Sequence, residues 1–288
     1  MTISSDDKKK LENTKLSKIK SLIDSFNVEN EKFVNDKYYA EFNVQFNKKN
    51  TLKFFENKNI FPSIPKTIDI LIIPILIHND NGRLAIFNEN PIYKNWNKTL
   101  NQSHLLNYIL PNEDIEDRSF LIKNLNSIED YDFKEIIEKY DLENFIINIV
   151  FKDEDKIKVL SKILLNNDFK VINKIYKDVD VNNEQSLDNF IQKIKTTYED
   201  SWKNLNIINT SIKLPITVSI SSKEDDKIIL FEKLLNNLDL ISYFYITSFN
   251  NKNIYYKIIY NGSPKKFLDE VENYGLSIVK DNKNWKIQ

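Results

Sequence analysis

The run IDILIIPILI, residues 68–77, constrains the fold of this 288-residue chain more than any other stretch. Apolar side chains occupy both alternating sets of positions, so a strand built from it must be covered on both faces. Such strands lie inside sheets flanked by helices, which makes an α/β unit the expected surrounding. The run is too short to span a bilayer as a helix, which takes roughly 20 apolar residues. Pro74 has no N–H to give a ladder, so the strand is expected to bulge or end near it.

Around this run the pattern of apolar residues gives a coarse order of elements. Leu16, Ile19, Leu22, Ile23 and Phe26 fall on one helical stripe and predict an amphipathic helix over residues 15–26. YYAEFNVQF alternates as a strand with Tyr38, Ala40, Phe42, Val44 and Phe46 on one side, and a short helix follows around Leu52–Phe55. Pro62 and Pro65 mark a boundary. Asn81-Gly82 suits the tip of a hairpin returning through RLAIF. Asn90 and Pro91 suit the cap and first residue of a helix carrying Ile92, Trp96 and Leu100. LLNYIL and NFIINIVF read as strands, with Phe133, Ile136, Ile137 and Tyr140 as a helix between them. Residues 156–176 suit two strands turning at NND, and Leu187 to Leu205 trace a long helix. From Ile212 the order is strand, helix, strand, strand, helix and a closing pair, LSIV and WKI. The expected class is therefore α/β and α+β: a small central α/β domain with helices packed on a mixed sheet, then a ferredoxin-like βαββαβ domain. The expected boundaries are 1–66 for an N-terminal helix–strand–helix segment, 67–210 for the central domain and 211–288 for the last.

Composition removes several functions. Cysteine is absent, which excludes disulfides, thiolate metal sites and cysteine nucleophiles. Glycine occurs only at 82, 262 and 275, so no glycine-rich phosphate loop can be built. Lys+Arg 41 against Asp+Glu 42 leaves a net charge of -1 and no global field to attract nucleic acid. Arginine stands only at Arg83 and Arg118, which weakens bidentate phosphate recognition. The aromatic strands ISYFYITSF and NIYYKIIY lack the basic-glycine-aromatic consensus of an RNA-binding sheet, so they read as ordinary sheet aromatics. No cofactor is implied, no segment is apolar enough to span a membrane, and MTISSDDKKKLEN has no apolar leader core.

Four residues stand out as weak binding candidates: Asn90, Trp96, Asp114 and Asp117. In LPNEDIEDRSF, residues 110–120, the acids Glu113, Asp114, Glu116 and Asp117 follow a proline. The expected role is structural: Asn112 or Asp114 caps a helix whose first turn is stocked with carboxylates that meet its dangling amides. The alternative places Asp114 and Asp117 on one face as oxygen ligands for magnesium or calcium, with His104 as an optional third group in a metal-dependent hydrolase. His78, at a strand end, and His104 are the only imidazoles, and no nucleophile motif accompanies them. NPIYKNW, with Asn90, Tyr93 and Trp96, crowds polar and aromatic side chains at a helix start, where α/β units tend to bind small ligands.

Five segments in one order resemble domain-of-unknown-function family 2066, proteins of the Gram-negative cell envelope. They are FNVENEKFVNDKYYAEFNVQF, NPIYKNW, LPNEDIEDRSF, KYDLENFIINIV and the closing YNGSPKKFLDEVENYGLSI with NWKI. Asn90, Pro91 and Trp96 carry the family's Asn-Pro-x-x-x-x-Trp element, whereas Glu113 stands where its pattern has a glycine. The resemblance implies a periplasmic or envelope protein with no established catalysis or cofactor. The family's export signal and an additional N-terminal segment do not occur here, so either the chain starts late, the expected case, or it is a cytosolic variant. The functional expectation is a non-enzymatic module that binds a protein partner in the envelope. The alternatives are the hydrolase on Asp114 and Asp117 and a small-ligand site near Trp96.

Overall fold

The computed structural model describes every residue except 99–103, 155, 211 and 282–283. The chain divides into two units, Pro65–Trp202 and the combination of Met1–Ile64 with Lys203–Gln288. The expected separate segment 1–66 thus shares a unit with C-terminal residues, and the central unit ends at Trp202 rather than at 210. Both are mixed helix–sheet units, the α/β and α+β class expected.

The first segment comprises α1 (Ser5–Glu12), α2 (Leu16–Lys20), β1 (Ile23–Val34), β2 (Lys37–Phe46) and α3 (Lys48–Asn57). The amphipathic helix expected over 15–26 is corrected: helix stops at Lys20 and the chain is extended from Ile23. Phe26 and Val28 pair with Val44 and Phe42 on β2, so cross-strand pairing claims residues whose spacing also fits a helical stripe. Asn35 and Asp36, both at positive φ, make the two-residue turn. This hairpin is a two-stranded sheet of its own.

Pro65–Trp202 contains β3 (Ile68–His78), β4 (Arg83–Ala85), α4 (Pro91–Asn95), β5 (Leu106–Ile109) and α5 (Ile115–Lys123). Then come α6 (Lys134–Ile137), β6 (Phe145–Lys152), β7 (Lys156–Leu165), β8 (Asp168–Lys177) and α7 (Glu184–Leu205), of which the residues to Trp202 belong here. The helix expected over Phe133–Tyr140 is shorter, with α6 giving way to a 3-10 turn at Glu138–Tyr140. The sheet runs β4-β3-β6-β7-β8, with β5 beside the first half of β3. Ile70, Ile72 and Leu76 face the core under α7, while Leu71, Ile73, Ile75 and Ile77 face the core under α5 and α6. Leu100, expected on α4's face, lies outside the described residues.

The bulge expected at Pro74 does not form, and β3 pairs with β6 in unbroken register from Leu71 to His78. The opposite side of β3 supplies the reason. There β5 ends its pairing at Leu71 and β4 begins at Leu76, so a residue without an N–H falls in the gap between them. The Pro74 carbonyl accepts from Asn90 Nδ2 at 3.1 Å.

The remaining chain forms β9 (Leu214–Ser221), α8 (Asp225–Asn237), β10 (Ile241–Phe249), β11 (Asn253–Tyr260), α9 (Pro264–Asn273), β12 (Ile278–Asp281) and β13 (Asn284–Ile287). The sheet order is β10-β11-β9-β13-β12 over a core shared with α8 and α9. Strand β11 lies between β9 and β10, as in a split βαβ unit. The chain closes with a hairpin whose β13 runs parallel to β9.

Candidate functional site

The acidic stretch is built as a helix start. Asp114 is the cap of α5, its Oδ1 accepting from the Glu116 N–H at 2.7 Å, and Glu116 and Asp117 sit in the first turn. Asp114 and Asp117 do converge, and they converge on Lys139: its Nζ lies 2.6 Å from Asp114 Oδ2 and 2.6 Å from Asp117 Oδ1. That ammonium sits where a cation shared by the two carboxylates would sit. Lys139 holds Asp114 below the ordinary carboxylate range, helped by the Glu116 amide. Burial pushes Asp117 up, with Lys139 opposing, because Asp117 is 0% exposed and its Oδ2 has no partner among the described residues. The two carboxylates in turn raise the Lys139 pKa. Beside them lies a cavity of about 430 Å³ lined by Asn112, Glu113, Asp114, Ile115, Lys139 and Tyr140. Among the described residues no group of three or more His, Asp or Glu side chains is placed to share a metal ion. His104 meets neither acid; its Nδ1 lies 3.8 Å from Glu199 and its ring stands edge-on to Tyr108. His78 closes β3 opposite Arg83, its pKa lowered by burial and by Lys152.

Asn90 is a cap rather than an open ligand group. It is fully buried, its Oδ1 accepts from the Ile92 N–H at 2.9 Å, and its Nδ2 serves Pro74. Trp96 is also fully buried, edge-on to Tyr108 at 5.6 Å and stacked with Tyr198 at 6.3 Å. The four candidate residues therefore fall into separate places: Asn90 beneath α4, Trp96 in the core under α7, and the two aspartates at α5.

A polar layer that the sequence did not announce surrounds Trp96. Lys195, on α7 and 2% exposed, donates to the Trp96 carbonyl at 2.5 Å and lies over the rings of Tyr108 and Trp96. Burial brings its pKa down to about 8, against the pull of Glu199. Glu199 accepts from the Leu105 and Leu106 N–H groups at 3.1 Å. Ser161 and Tyr198 share a hydroxyl hydrogen bond of 2.7 Å, and Asn148 stands opposite Ser161 across β6 and β7. Trp96 Nε1, His104 Nε2, Tyr108 Oη and both amide atoms of Asn148 have no partner among the described residues. The one sequence signal was i, i+4 spacing of Lys195 and Glu199 inside an otherwise apolar stripe of α7.

The other feature is a surface. Along the β1–β2 hairpin, Phe26, Val28, Phe33, Tyr38, Phe42 and Phe46 share one face, opposite Ser25, Asn27, Glu29, Glu41 and Gln45. The apolar face is open to solvent, with Phe33 at 72% and Phe42 at 61% exposure. The edge strands β8 and β10 also show apolar side chains to solvent, among them Ile175 and Phe249. Among the described residues no helix is long and apolar enough to cross a membrane.

No family model matches the chain, and neither a curated protein nor a solved structure does.

Proposed function

We propose that the protein is a non-enzymatic interaction module of the cell envelope, docking a protein partner on the apolar face of the β1–β2 hairpin. The observation that carries this reading is that face itself. Its four phenylalanines lie in water on a two-stranded sheet whose other side is mostly polar, with Val34 and Tyr39 its exposed apolar residues. Isolated hairpins are marginal in water, and large exposed apolar patches mark contact surfaces. The envelope part rests on the resemblance to domain-of-unknown-function family 2066. Against the hydrolase reading stands Lys139, whose ammonium already pairs with both aspartates.

The test places a photo-reactive phenylalanine analogue at position 33 in cells carrying the native gene. A discrete adduct is expected in the envelope fraction and is lost with Phe42→Asp. No adduct overturns the docking reading, and an adduct confined to the cytosol overturns the envelope part. A second reading, a small polar ligand beside Trp96, is favoured by the unpartnered atoms of Trp96, Tyr108 and Asn148. It expects a Trp96 emission change against a metabolite panel in a Trp202→Phe, Trp285→Phe background; silence across the panel leaves the hairpin reading alone.

A further inference from the structure

A groove elsewhere in the same unit is independent of the hairpin. An open cavity of about 610 Å³ is lined by Leu205 to Asn209, by Ile212 to Leu214, by Ile64 and Leu240, and by Asn261 to Pro264 with Lys266. Its walls divide chemically. One side carries Leu205, Ile207 and Ile212, each more than a third exposed, interspersed with Asn206, Asn209 and Lys213. The other side is the start of the ten-residue α9, capped by Ser263 and opened by Pro264.

That helix start is electropositive and only partly satisfied. The Lys266 and Phe267 N–H groups are taken by Ser263, through its hydroxyl and its carbonyl, and Pro264 has none to give. The Lys265 N–H has no partner among the described residues, and α9 has no acid in its first turn. The cavity lining includes Lys213 and Lys266 and no carboxylate. Lys213 is already paired with Glu56 at 3.2 Å, whereas Lys266 forms no ion pair among the described residues. An anion fits such a helix start.

An independent observation specifies more than charge. Asn261, only 3% exposed, lines the same cavity; its Nδ2 donates to Ser242 Oγ at 2.7 Å, but its Oδ1 accepts from nothing among the described residues. A buried amide oxygen left this way is destabilising unless a donor reaches it. The missing donor and the missing anion belong together in one chemical group: an acylated amino acid carries an amide N–H beside its carboxylate.

We infer that this groove binds an N-acylated α-amino acid carboxylate with a branched apolar side chain, as found at the C-terminus of a peptide. The carboxylate meets the α9 start and Lys266, the adjacent N–H donates to Asn261 Oδ1, and the side chains cover Ile207 and Ile212. Capture of a chain terminus by free backbone amides is a general mode of peptide recognition.

The experiment titrates the full chain by calorimetry with three probes: acetyl-Ala-Val-Leu as the free acid, the same tripeptide as its C-terminal amide, and N-acetyl-leucine. The acid is expected to bind at least tenfold more tightly than the amide. Lys266→Glu, at an exposed position and so neutral to folding, is expected to weaken the acid tenfold or more and to leave the amide unchanged. Asn261→Ala, checked for folding by circular dichroism, is expected to weaken both. N-acetyl-leucine matching the tripeptide supports the site and assigns it to small acyl amino acids rather than to peptide ends. Equal affinity for acid and amide, no response to Lys266→Glu, or no binding by any probe overturns the inference. Because Phe33 and Phe42 take no part in this groove, its failure leaves the hairpin reading standing, and the reverse holds too.

Discussion

Lys139 decides the state of the two aspartates at α5, and its removal tests that role. In Lys139→Met, Asp117 stays fully buried with no cation beside it. Losing one member of a fully buried pair costs roughly 3–5 kcal/mol. Lys139 is one-third open to solvent, so about 2 kcal/mol is expected from urea unfolding. The pH dependence has a definite sign. The folded pKa of Asp117 is raised, so its contribution is lost as pH rises through that value, and removing Lys139 raises it further. Asp114 is held low by Lys139, and its contribution, present above the unfolded pKa, disappears in the variant. Both effects make the deficit of Lys139→Met larger at about pH 7 than at about pH 4. Lys195 behaves oppositely to Asp117. Its folded pKa, down to about 8, lies below its ordinary 10.5, so the stability it supplies is full above the ordinary value and is lost as pH falls toward 8. The stability of wild type relative to Lys195→Met is expected to rise between these limits, by on the order of 2–3 kcal/mol in urea midpoints. A flat difference would show that Lys195 is solvated. At this scale the sequence was legible for Asp114, because a short acceptor ahead of an acidic turn has one obvious use. It was not legible for Lys139 or Lys195, since a lysine is normally a surface residue and nothing local reveals which one a fold will bury.

Among the elements, β3 shows how a strand can contain a proline without bending. A proline signals a missing donor, but whether that matters depends on what lies beside the strand, here the gap between β5 and β4. Asn90 joins this gap to the start of α4, and its two functions can be separated. Asn90→Ser keeps a short acceptor for the Ile92 N–H and loses the amide donor to Pro74; Asn90→Ala loses both. Thermal or urea unfolding is expected to rank them wild type, Ser, Ala, with Ala lower than wild type by about 2–3 kcal/mol. Equal losses for both variants would show that the cap contributes nothing. Residues 21–26 depart from the helical expectation for a reason of the same kind. Their apolar spacing fits both periods, and only β2, ten or more residues downstream, selects the extended form. The hairpin's own turn was readable in retrospect, since Asn35-Asp36 is a pair that tolerates positive φ.

For the molecule as a whole, the class of fold was legible because strongly apolar strands alternate with long amphipathic helices. What could not be read was which distant segments belong together: residues 1–64 join 203–288, a grouping set by contacts rather than by local pattern. That grouping has a consequence for dissection. Pro65–Trp202 is continuous and has a core on each face of its sheet, one under α7 and one under α5 and α6. A segment of that kind, near the usual size of a domain, meets the requirements for folding alone. Expressed as residues 65–202, it retains Trp96 and Trp202 and omits Trp285, so its emission reports this unit only. It is expected to unfold in urea as a single transition, with tryptophan emission and far-ultraviolet circular dichroism coinciding. Residues 1–66 alone carry the lone hairpin without its partner segment and are expected to show no cooperative transition. If 65–202 instead melts without a transition while the full chain is cooperative, the two units depend on each other to fold and the division by contacts is not a division of stability.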